Sequence, residues 1–299
     1  MGFSSIWVKG RLHPYTYYHK YQYTTFRGKK QCSYWKILAI LRINTPVEQL
    51  HFICYNGIST KLTLHTERNM HMRNILVICG DIWHPTEVIK AGFSYLTDFY
   101  PHITFVEDAK DMLTAQDLAQ YDLVVCCKGN HVTSGNSTPW FEEGVNELTP
   151  ADFEAYVKNG GGFLSVHAGA SFADTFQEEH LLKPCREYID FVGCRFLWHP
   201  ARCEVTYKVC KEHPVTAGVK DFCERDEHYQ IDMTAEDAVV LMESTSADGA
   251  PMPAAYVREM GQGRLCNLIP GHVLNVWKNP EFQKLLVNAI NWCMKKQEA

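Results

Sequence analysis

The sequence predicts an α/β domain in which a mostly parallel β-sheet is flanked by helices. From residue 73 onward, short apolar runs alternate with longer amphipathic segments. The early runs, such as Ile75–Cys79, are apolar at every position, which is typical of strands buried on both faces of a sheet. Glycine and proline mark the ends of these segments. Repeated βα units of this kind build a doubly wound sheet.

The first half of this region contains four predicted strands. Ile75–Cys79 is followed by a predicted helix over residues 86–99, which Pro101 ends. The next three strands cover Ile103–Val106, Tyr121–Cys127 and Phe163–Val166. A second helix precedes the last of them, because Thr149-Pro150 is a typical helix start and Gly160–Gly162 a typical stop.

The second half is richer in strands and ends in a helix. The predicted strands are Glu204–Val209, Tyr229–Met233, Val239–Glu243, Ala254–Arg258 and Arg264–Ile269. Asn279-Pro280 starts the final helix, whose apolar stripe reaches Cys293 before Lys295-Lys296. Because no linker or repeat interrupts this region, we predict a single domain over residues 72–299.

Charge divides the chain into two unlike parts. The net charge of the 299 residues is −5, but residues 1–71 hold ten Lys and Arg against two Glu, whereas the remainder holds 19 basic and 32 acidic groups. We predict that residues 1–71 are a basic extension outside the fold and that the functional chain starts at Met70 or Met72. A nucleic-acid-binding arm and an accessory element packed on the main domain are the alternatives.

Composition argues against several classes of protein. No apolar stretch reaches the roughly 20 residues that a membrane-spanning helix needs, and the N-terminus lacks a signal-peptide pattern. The twelve cysteines contain no C-x-x-C pair, so we expect reduced thiols. The excess of acidic groups after residue 71 disfavours nucleic acid. We therefore predict a cytoplasmic protein without a membrane or nucleic-acid partner.

Histidines follow several of the predicted strands. His84, His167 and His272 come just after a strand, and His199 lies in a loop before one. Ligands of open α/β sheets bind at the carboxyl ends of the strands, so convergence there favours a functional role. A single histidine in such a position could equally be a surface or core residue.

The segment Ser165–Gly169 has the pattern of a nucleophile elbow, in which a strand, a sharp turn and a helix present one residue among small neighbours. Here that residue is His167, so general-base chemistry or metal binding is expected instead of acyl-enzyme formation. The glycines could also serve tight turns alone.

Two carboxylates stand together in Asp226-Glu227-His228-Tyr229. They could bind a cation or sugar hydroxyls, or they could simply face solvent. Combined with the histidines, they suggest a mixed nitrogen and oxygen site for Zn²⁺ or Mn²⁺. The predicted metal ligands are His167, His199, Asp226 and His272.

Aromatic residues accompany these histidines in Trp83-His84 and Trp198-His199, and Trp277 lies five residues beyond His272. Indole faces stack on sugar rings, but they also fill protein cores. The glycine runs match neither the dinucleotide nor the P-loop fingerprint, so no nucleotide cofactor is expected.

Four ordered motifs occur between residues 73 and 295. They are Gly160–Gly169, His213–Val219 with Asp221-Phe222, Asp226–Tyr229, and Pro270–His272 with Trp277 and Pro280–Phe282. In these motifs the chain resembles the ThuA-like (trehalose utilisation) family of the class I glutamine amidotransferase-like superfamily. The resemblance implies a flavodoxin-like fold and a role in disaccharide or glycoside catabolism. Amidotransferases carry Cys at the elbow and a His-x-Glu pair, whereas His167 and Leu274 stand here, which argues against glutamine hydrolysis.

We therefore expect a protein that acts on trehalose-like disaccharides, glycosides or their 3-keto derivatives by acid–base isomerisation or elimination, with hydrolysis as a further option. The alternative is a non-catalytic sugar-binding or regulatory module on the same scaffold. A sugar dehydrogenase is the expected functional partner, and a homo-oligomer is compatible with the sequence. The predicted catalytic residues are His167, His272 and Glu227. The predicted substrate contacts are Trp83, His84, Trp198, Tyr229 and Trp277.

Overall fold

The computed structural model describes residues 2–12, 15–25, 73–81, 83–97, 99–107, 113–129, 148–171, 173–176 and 182–294. The chain divides into two compact units, Met1–Arg68 and Asn69–Ala299. In the first unit, β1 (Gly2–Leu12) and β2 (Tyr15–Thr25) form an antiparallel hairpin.

Some predictions concern residues that fall outside these ranges. The proposed starts at Met70 and Met72, and the terminal Lys295-Lys296, are among them. The assignment of residues 1–71 as an extension outside the functional domain stays a prediction.

A nine-stranded mixed sheet forms the centre of the second unit. Its strands are β3 (Asn74–Ile78), β4 (His102–Val106), β5 (Leu123–Cys126), β6 (Gly162–Val166), β10 (Cys203–Val209), β11 (Phe222–Asp226), β13 (Val239–Thr245), β14 (Met252–Met260) and β15 (Gly263–Leu268). Their order across the sheet is β11-β10-β13-β14-β15-β6-β5-β3-β4.

The predicted α/β sheet is confirmed, and it is parallel over one half. The strands β15, β6, β5, β3 and β4 are parallel to one another. The other half, from β11 to β15, is antiparallel. Only two residues join β14 to β15, and so short a connection allows only antiparallel neighbours.

Two small two-stranded sheets accompany the main one. One pairs β9 (Cys194–Trp198) with β12 (Gln230–Met233), and the other pairs β7 (Ala173–Phe176) with β8 (Leu182–Pro184). The predicted strand Tyr229–Met233 therefore exists, but it pairs with β9 outside the main sheet.

Helices cover both faces of the main sheet. Those on one face are α1 (Thr86–Phe93), α5 (Leu274–Lys278) and α6 (Pro280–Cys293). Those on the other are α2 (Ala115–Leu118), α3 (Pro150–Lys158) and α4 (Arg186–Val192). None of the helices in the described residues combines the length and hydrophobicity that crossing a bilayer requires.

Local sequence signals explain several of these boundaries. The side chain of Thr149 accepts a hydrogen bond from the backbone of Asp152, and Asn279 caps α6 in the same way. The predicted helix over residues 86–99 is shorter than expected, because α1 ends at Phe93 and a 3₁₀ turn continues over Ser94–Leu96.

The alternation of side chains along β3 produces two hydrophobic cores. Ile75 and Val77 pack with α1, α5 and α6, whereas Leu76 and Ile78 pack with α3 and α4. All four side chains are fully buried. A continuous apolar run is thus required here, as the sequence indicates.

Candidate metal centre

Four residues meet at the carboxyl edge of the main sheet. His84 follows β3, His167 follows β6 and His272 follows β15. Glu227 follows β11, which runs in the same direction as β15 because four antiparallel pairings separate the two strands. Strand direction therefore brings this carboxylate to the edge where the histidines lie.

His167 lies in a sharp turn at the end of β6. Its φ angle is +47°, and no other non-glycine residue in the described residues has a positive φ. This conformation costs roughly 1–2 kcal/mol, and such strain is concentrated at functional sites. The following residues are small, and a Cβ on Gly169 would lie 2.3 Å from the Cys126 carbonyl oxygen.

The orientation of the His167 ring is set by the backbone. Its Nδ1 lies 2.9 Å from the carbonyl oxygen of Ile269, and because a carbonyl only accepts, Nδ1 carries the hydrogen and donates it. The lone pair of Nε2 therefore points toward His272 and Glu227. Metal-binding histidines are typically fixed in this way.

His84 is held by the buried carboxylate of Asp81. The Nδ1 atom of His84 lies 2.8 and 2.9 Å from the two carboxylate oxygens, which also accept the backbone N–H groups of Trp83, His84 and Gly129. Burial raises the pKa of Asp81, but the hydrogen bond and charge of His84, together with the backbone N–H groups of Gly129 and Trp83, outweigh burial, so the net pKa is lowered. The Nε2 atom of His84 is buried and has no hydrogen-bond partner in the described structure.

Three of the four donor atoms are spaced as a single ion requires. The Nε2 of His167 lies 3.3 Å from the Nδ1 of His272, and these two atoms lie 3.5 and 3.1 Å from the Oε2 of Glu227. Ligands about 2.0–2.1 Å from a tetrahedral Zn²⁺ are about 3.3 Å apart. One ligand atom from each of these three residues and from His84 lies within 4.8 Å of the others.

One further observation fits a metal ion. A cavity of about 10 Å³ adjoins the three imidazoles, but apolar side chains such as Val88, Ile89 and Val166 line it and Glu227 does not, so it lies beside the donor atoms. Burial raises the pKa of Glu227, but the adjacent imidazoles of His167 and His272 together lower it by more, so the net pKa is well below its usual value. The carboxylate is therefore ionised and ready to bind a cation.

His199 and Tyr229 line the outer side of this group, which we call the metal quartet (His84, His167, His272 and Glu227). The Nδ1 of His199 donates to the Pro200 carbonyl at 2.8 Å, and its Nε2 lies 3.5 Å from Glu227. Its side chain is 34% exposed, in contrast to the quartet. The Tyr229 ring lies between the His167 and His199 rings, with centroid distances of 4.2 and 5.8 Å.

Comparison with known proteins identifies the family. Residues 74–293 match the family model ThuA, described as trehalose utilisation. The chain belongs to the ThuA family. A search of curated proteins returned no match. The family description points to carbohydrate metabolism.

Solved structures of ThuA-like proteins share the fold. The chain is similar to those from Bacteroides uniformis ATCC 8492 and Parabacteroides merdae ATCC 43184, each with a TM-score of 0.55 and 19% identity. These matches cover 76% and 75% of this chain, and 93% and 90% of theirs. A cytoplasmic protein from Salmonella typhimurium LT2 matches with a TM-score of 0.50 and 17% identity, covering 74% of this chain and 96% of its own.

The structure brings most of the predicted site residues of this ThuA protein together. The quartet contains the three residues predicted as catalytic, which are His167, His272 and Glu227. Its fourth member, His84, is one of the predicted substrate contacts. Among the predicted metal ligands, His199 lies beside the quartet. The carboxylate of Asp226 is fully buried and accepts hydrogen bonds from the backbone of Gly271 and His272.

The predicted aromatic contacts divide into exposed and buried residues. Trp83 and Trp198 are 43% and 50% exposed. Trp277 is buried in the core, where its Nε1 donates to the Gly271 carbonyl at 2.7 Å, and Tyr229 is also buried. Burial leaves Trp277 no face for a sugar, so we assign it to supporting the turn at Gly271.

Sequence reasoning missed Asp81 and the ligand-like position of His84. The signal was present, because Gly80-Asp81 directly follows the first predicted strand and His84 stands three residues later. An Asp and a His three residues apart can meet only if the intervening chain turns, and the hydrogen bonds from Trp83 and His84 to Asp81 form that turn.

Proposed function

We propose that this ThuA protein is a metal-dependent enzyme that acts on trehalose-like disaccharides or glycosides, or on their 3-keto derivatives. The observation that carries the proposal is the buried His84 Nε2, which faces two imidazoles and a carboxylate without a hydrogen-bond partner in the described structure. A buried polar atom without a partner is costly unless something binds it. A metal ion supplies that partner.

Three nitrogen donors and one carboxylate oxygen favour Zn²⁺ or Mn²⁺ over Mg²⁺ or Ca²⁺, which prefer oxygen ligands. A divalent ion bound there would polarise the ketone or hydroxyl oxygen of a sugar. His167 is fixed by Ile269, and His84 by Asp81, so both imidazoles would present their Nε2 lone pairs without reorganisation.

Proton transfer beside a ketone is the chemistry that we assign to the site. The C–H next to the carbonyl of a 3-keto sugar is acidic, and its removal leads to isomerisation or elimination. The carboxylate of Glu227 lies 3.5 and 3.1 Å from the imidazole nitrogens of His167 and His272, which favours the role of a ligand over that of the base. His199 lies at the exposed side with its Nε2 directed inward, and we propose it as the group that exchanges the proton.

The exposed indoles suit a sugar substrate. Trp83 and Trp198 each precede a histidine of this site, and both remain accessible. Aromatic faces present apolar area to the C–H surface of a pyranose ring. A 3-keto sugar arises by oxidation of a hydroxyl group, so a sugar dehydrogenase would supply the substrate, and we propose the cytoplasm as the compartment.

The test is to incubate the full chain with 3-keto-trehalose in the presence of Zn²⁺, Mn²⁺ or EDTA and to follow products by NMR. We expect conversion that EDTA abolishes and added metal restores. His84→Ala should lose both bound metal and conversion, whereas Asp122→Asn, at the opposite edge of the sheet, should retain both. Absence of conversion under every metal condition would refute the enzyme assignment for this substrate. Binding without product would favour the non-catalytic module.

A further inference from the structure

The turn after β15 is held by a buried carboxylate that does not belong to the metal quartet. The Oδ1 of Asp226 accepts the backbone N–H of His272 at 3.0 Å, and its Oδ2 accepts the N–H of Gly271 at 2.9 Å. The hydroxyl of Tyr207 donates to the same Oδ2 at 2.9 Å. Asp226 is 0% exposed and Tyr207 is 1% exposed.

The backbone held in this way carries one of the quartet residues. Gly271 has a φ of +138°, a conformation that favours glycine, and its carbonyl accepts the indole N–H of Trp277. Two residues before Gly271, the carbonyl of Ile269 fixes the ring of His167. The segment from 269 to 272 therefore sets the positions of both His167 and His272.

We propose that Asp226 and Tyr207 are positioning residues for the metal centre, acting through the backbone of Gly271 and His272, and that Asp226 is not a metal ligand. The inference rests on the proposed function, because it assumes that the quartet binds a metal. Adjacent residues at the end of a strand point to opposite sides, so Glu227 faces the histidines while Asp226 faces the turn.

The hydrogen bonds to Asp226 explain why an asparagine cannot replace it without moving the backbone. Both Asp226 oxygens already accept bonds from N–H or O–H donors inside the protein. In Asp226→Asn, an NH₂ group must face at least one of these donors, whichever way the amide is turned. The resulting displacement of the backbone would move the Nδ1 of His272 away from the other donor atoms.

The test measures metal affinity directly, by calorimetric titration of the metal-free full chain with Zn²⁺. We expect Asp226→Asn to bind one ion with 10- to 100-fold weaker affinity, as is typical for groups that orient ligands. Tyr207→Phe removes one donor and should weaken affinity by less than tenfold, but measurably. Asp221→Asn is the matched control, because Asp221 accepts a backbone N–H at the opposite end of β11, and its affinity should be unchanged.

A readout independent of metal separates positioning from ligation. In the metal-free protein, the backbone amide resonances of Gly271 and His272 and the indole N–H resonance of Trp277 should shift in Asp226→Asn. Complete loss of binding by Asp226→Asn, with unchanged affinity in Tyr207→Phe, would indicate a ligand and overturn the proposal. Affinity within twofold of wild type in a folded Asp226→Asn would also overturn it. If Asp226→Asn does not fold, an unchanged Zn²⁺ affinity in Tyr207→Phe would overturn the proposal.

These outcomes are distinguishable from failure of the proposed function. If 3-keto-trehalose is not converted but Zn²⁺ binds with the predicted order of affinities, the sugar assignment fails and the positioning role stands. If wild type binds neither Zn²⁺ nor Mn²⁺, both fail.

Discussion

The substitution Asp81→Asn tests how strongly the fold prepares His84 for metal binding. Asp81 is 2% exposed, and its oxygens accept three backbone N–H groups in addition to the imidazole of His84. An amide at this position turns at least one acceptor into a donor that faces another donor, most severely at Gly129, where the bond is 2.6 Å. It also removes the negative charge that favours a proton on Nδ1 of His84.

Two effects of known size follow. A buried donor left without an acceptor lowers the free energy of unfolding by about 1–3 kcal/mol. Loss of the carboxylate that orients the imidazole weakens metal affinity by about 10- to 100-fold, which corresponds to about 1.4–2.7 kcal/mol. The first effect should appear in the metal-free protein, whereas the second should appear only on titration with metal.

Urea unfolding of metal-free protein measures the first effect, and calorimetric titration with Zn²⁺ at 25 °C measures the second. Asp122→Asn is the control, because its carboxylate also accepts a backbone N–H but lies at the amino-terminal edge of the sheet. A folded Asp81→Asn variant that binds Zn²⁺ as tightly as wild type would refute the role of Asp81 in preparing His84.

Four further predictions concern the same site. A metal ion at 100 times its dissociation constant should stabilise the domain by about 2.7 kcal/mol. For a domain of 150–250 residues this raises Tm by about 5–11 °C, which calorimetry would measure. An unchanged Tm of the wild type on addition of metal would contradict a metal site. Metal affinity should fall as the pH is lowered, because protons compete with the metal ion for the imidazole nitrogens. A flat profile in calorimetric titrations from pH 5 to 8 would exclude histidine ligands. Trp198→Ala should raise KM for the sugar and leave the metal content unchanged, which mass spectrometry of bound metal would check. An unaltered KM would show that Trp198 does not contact the substrate. Gly271→Ala should lower the free energy of unfolding by more than about 1 kcal/mol, because φ is +138° and the new Cβ would lie 3.3 Å from the Cβ of His167. An unchanged free energy of unfolding in urea would show that the turn accommodates the methyl group.

The sequence predicted well those features that depend on local chemistry. The buried strand Ile75–Cys79 and the helix starts at Thr149 and Asn279 follow from hydrophobic pattern and capping residues, and the structure has them. The sequence also predicted the sharp turn at His167, because small residues flank one reactive position, and His167 has a positive φ in the structure. Predictions that needed strand pairing were weaker, since β12 leaves the main sheet and half of that sheet is antiparallel.

The hydrophobic pattern alone indicates the edge of the sheet where the site lies and most of the residues near it, because a histidine directly after a buried strand can only lie at the carboxyl end of that strand. The arrangement of these residues depends on tertiary contacts. Asp226 and Glu227 are adjacent in sequence, but the direction of β11 and the alternation of side chains turn Glu227 toward the histidines and Asp226 toward the backbone of Gly271. His84 joins the same group because the turn bound by Asp81 brings its ring beside those of His167 and His272, with centroids 5.2 and 5.1 Å away. Such contacts join residues nearly 200 positions apart, and no local pattern records them.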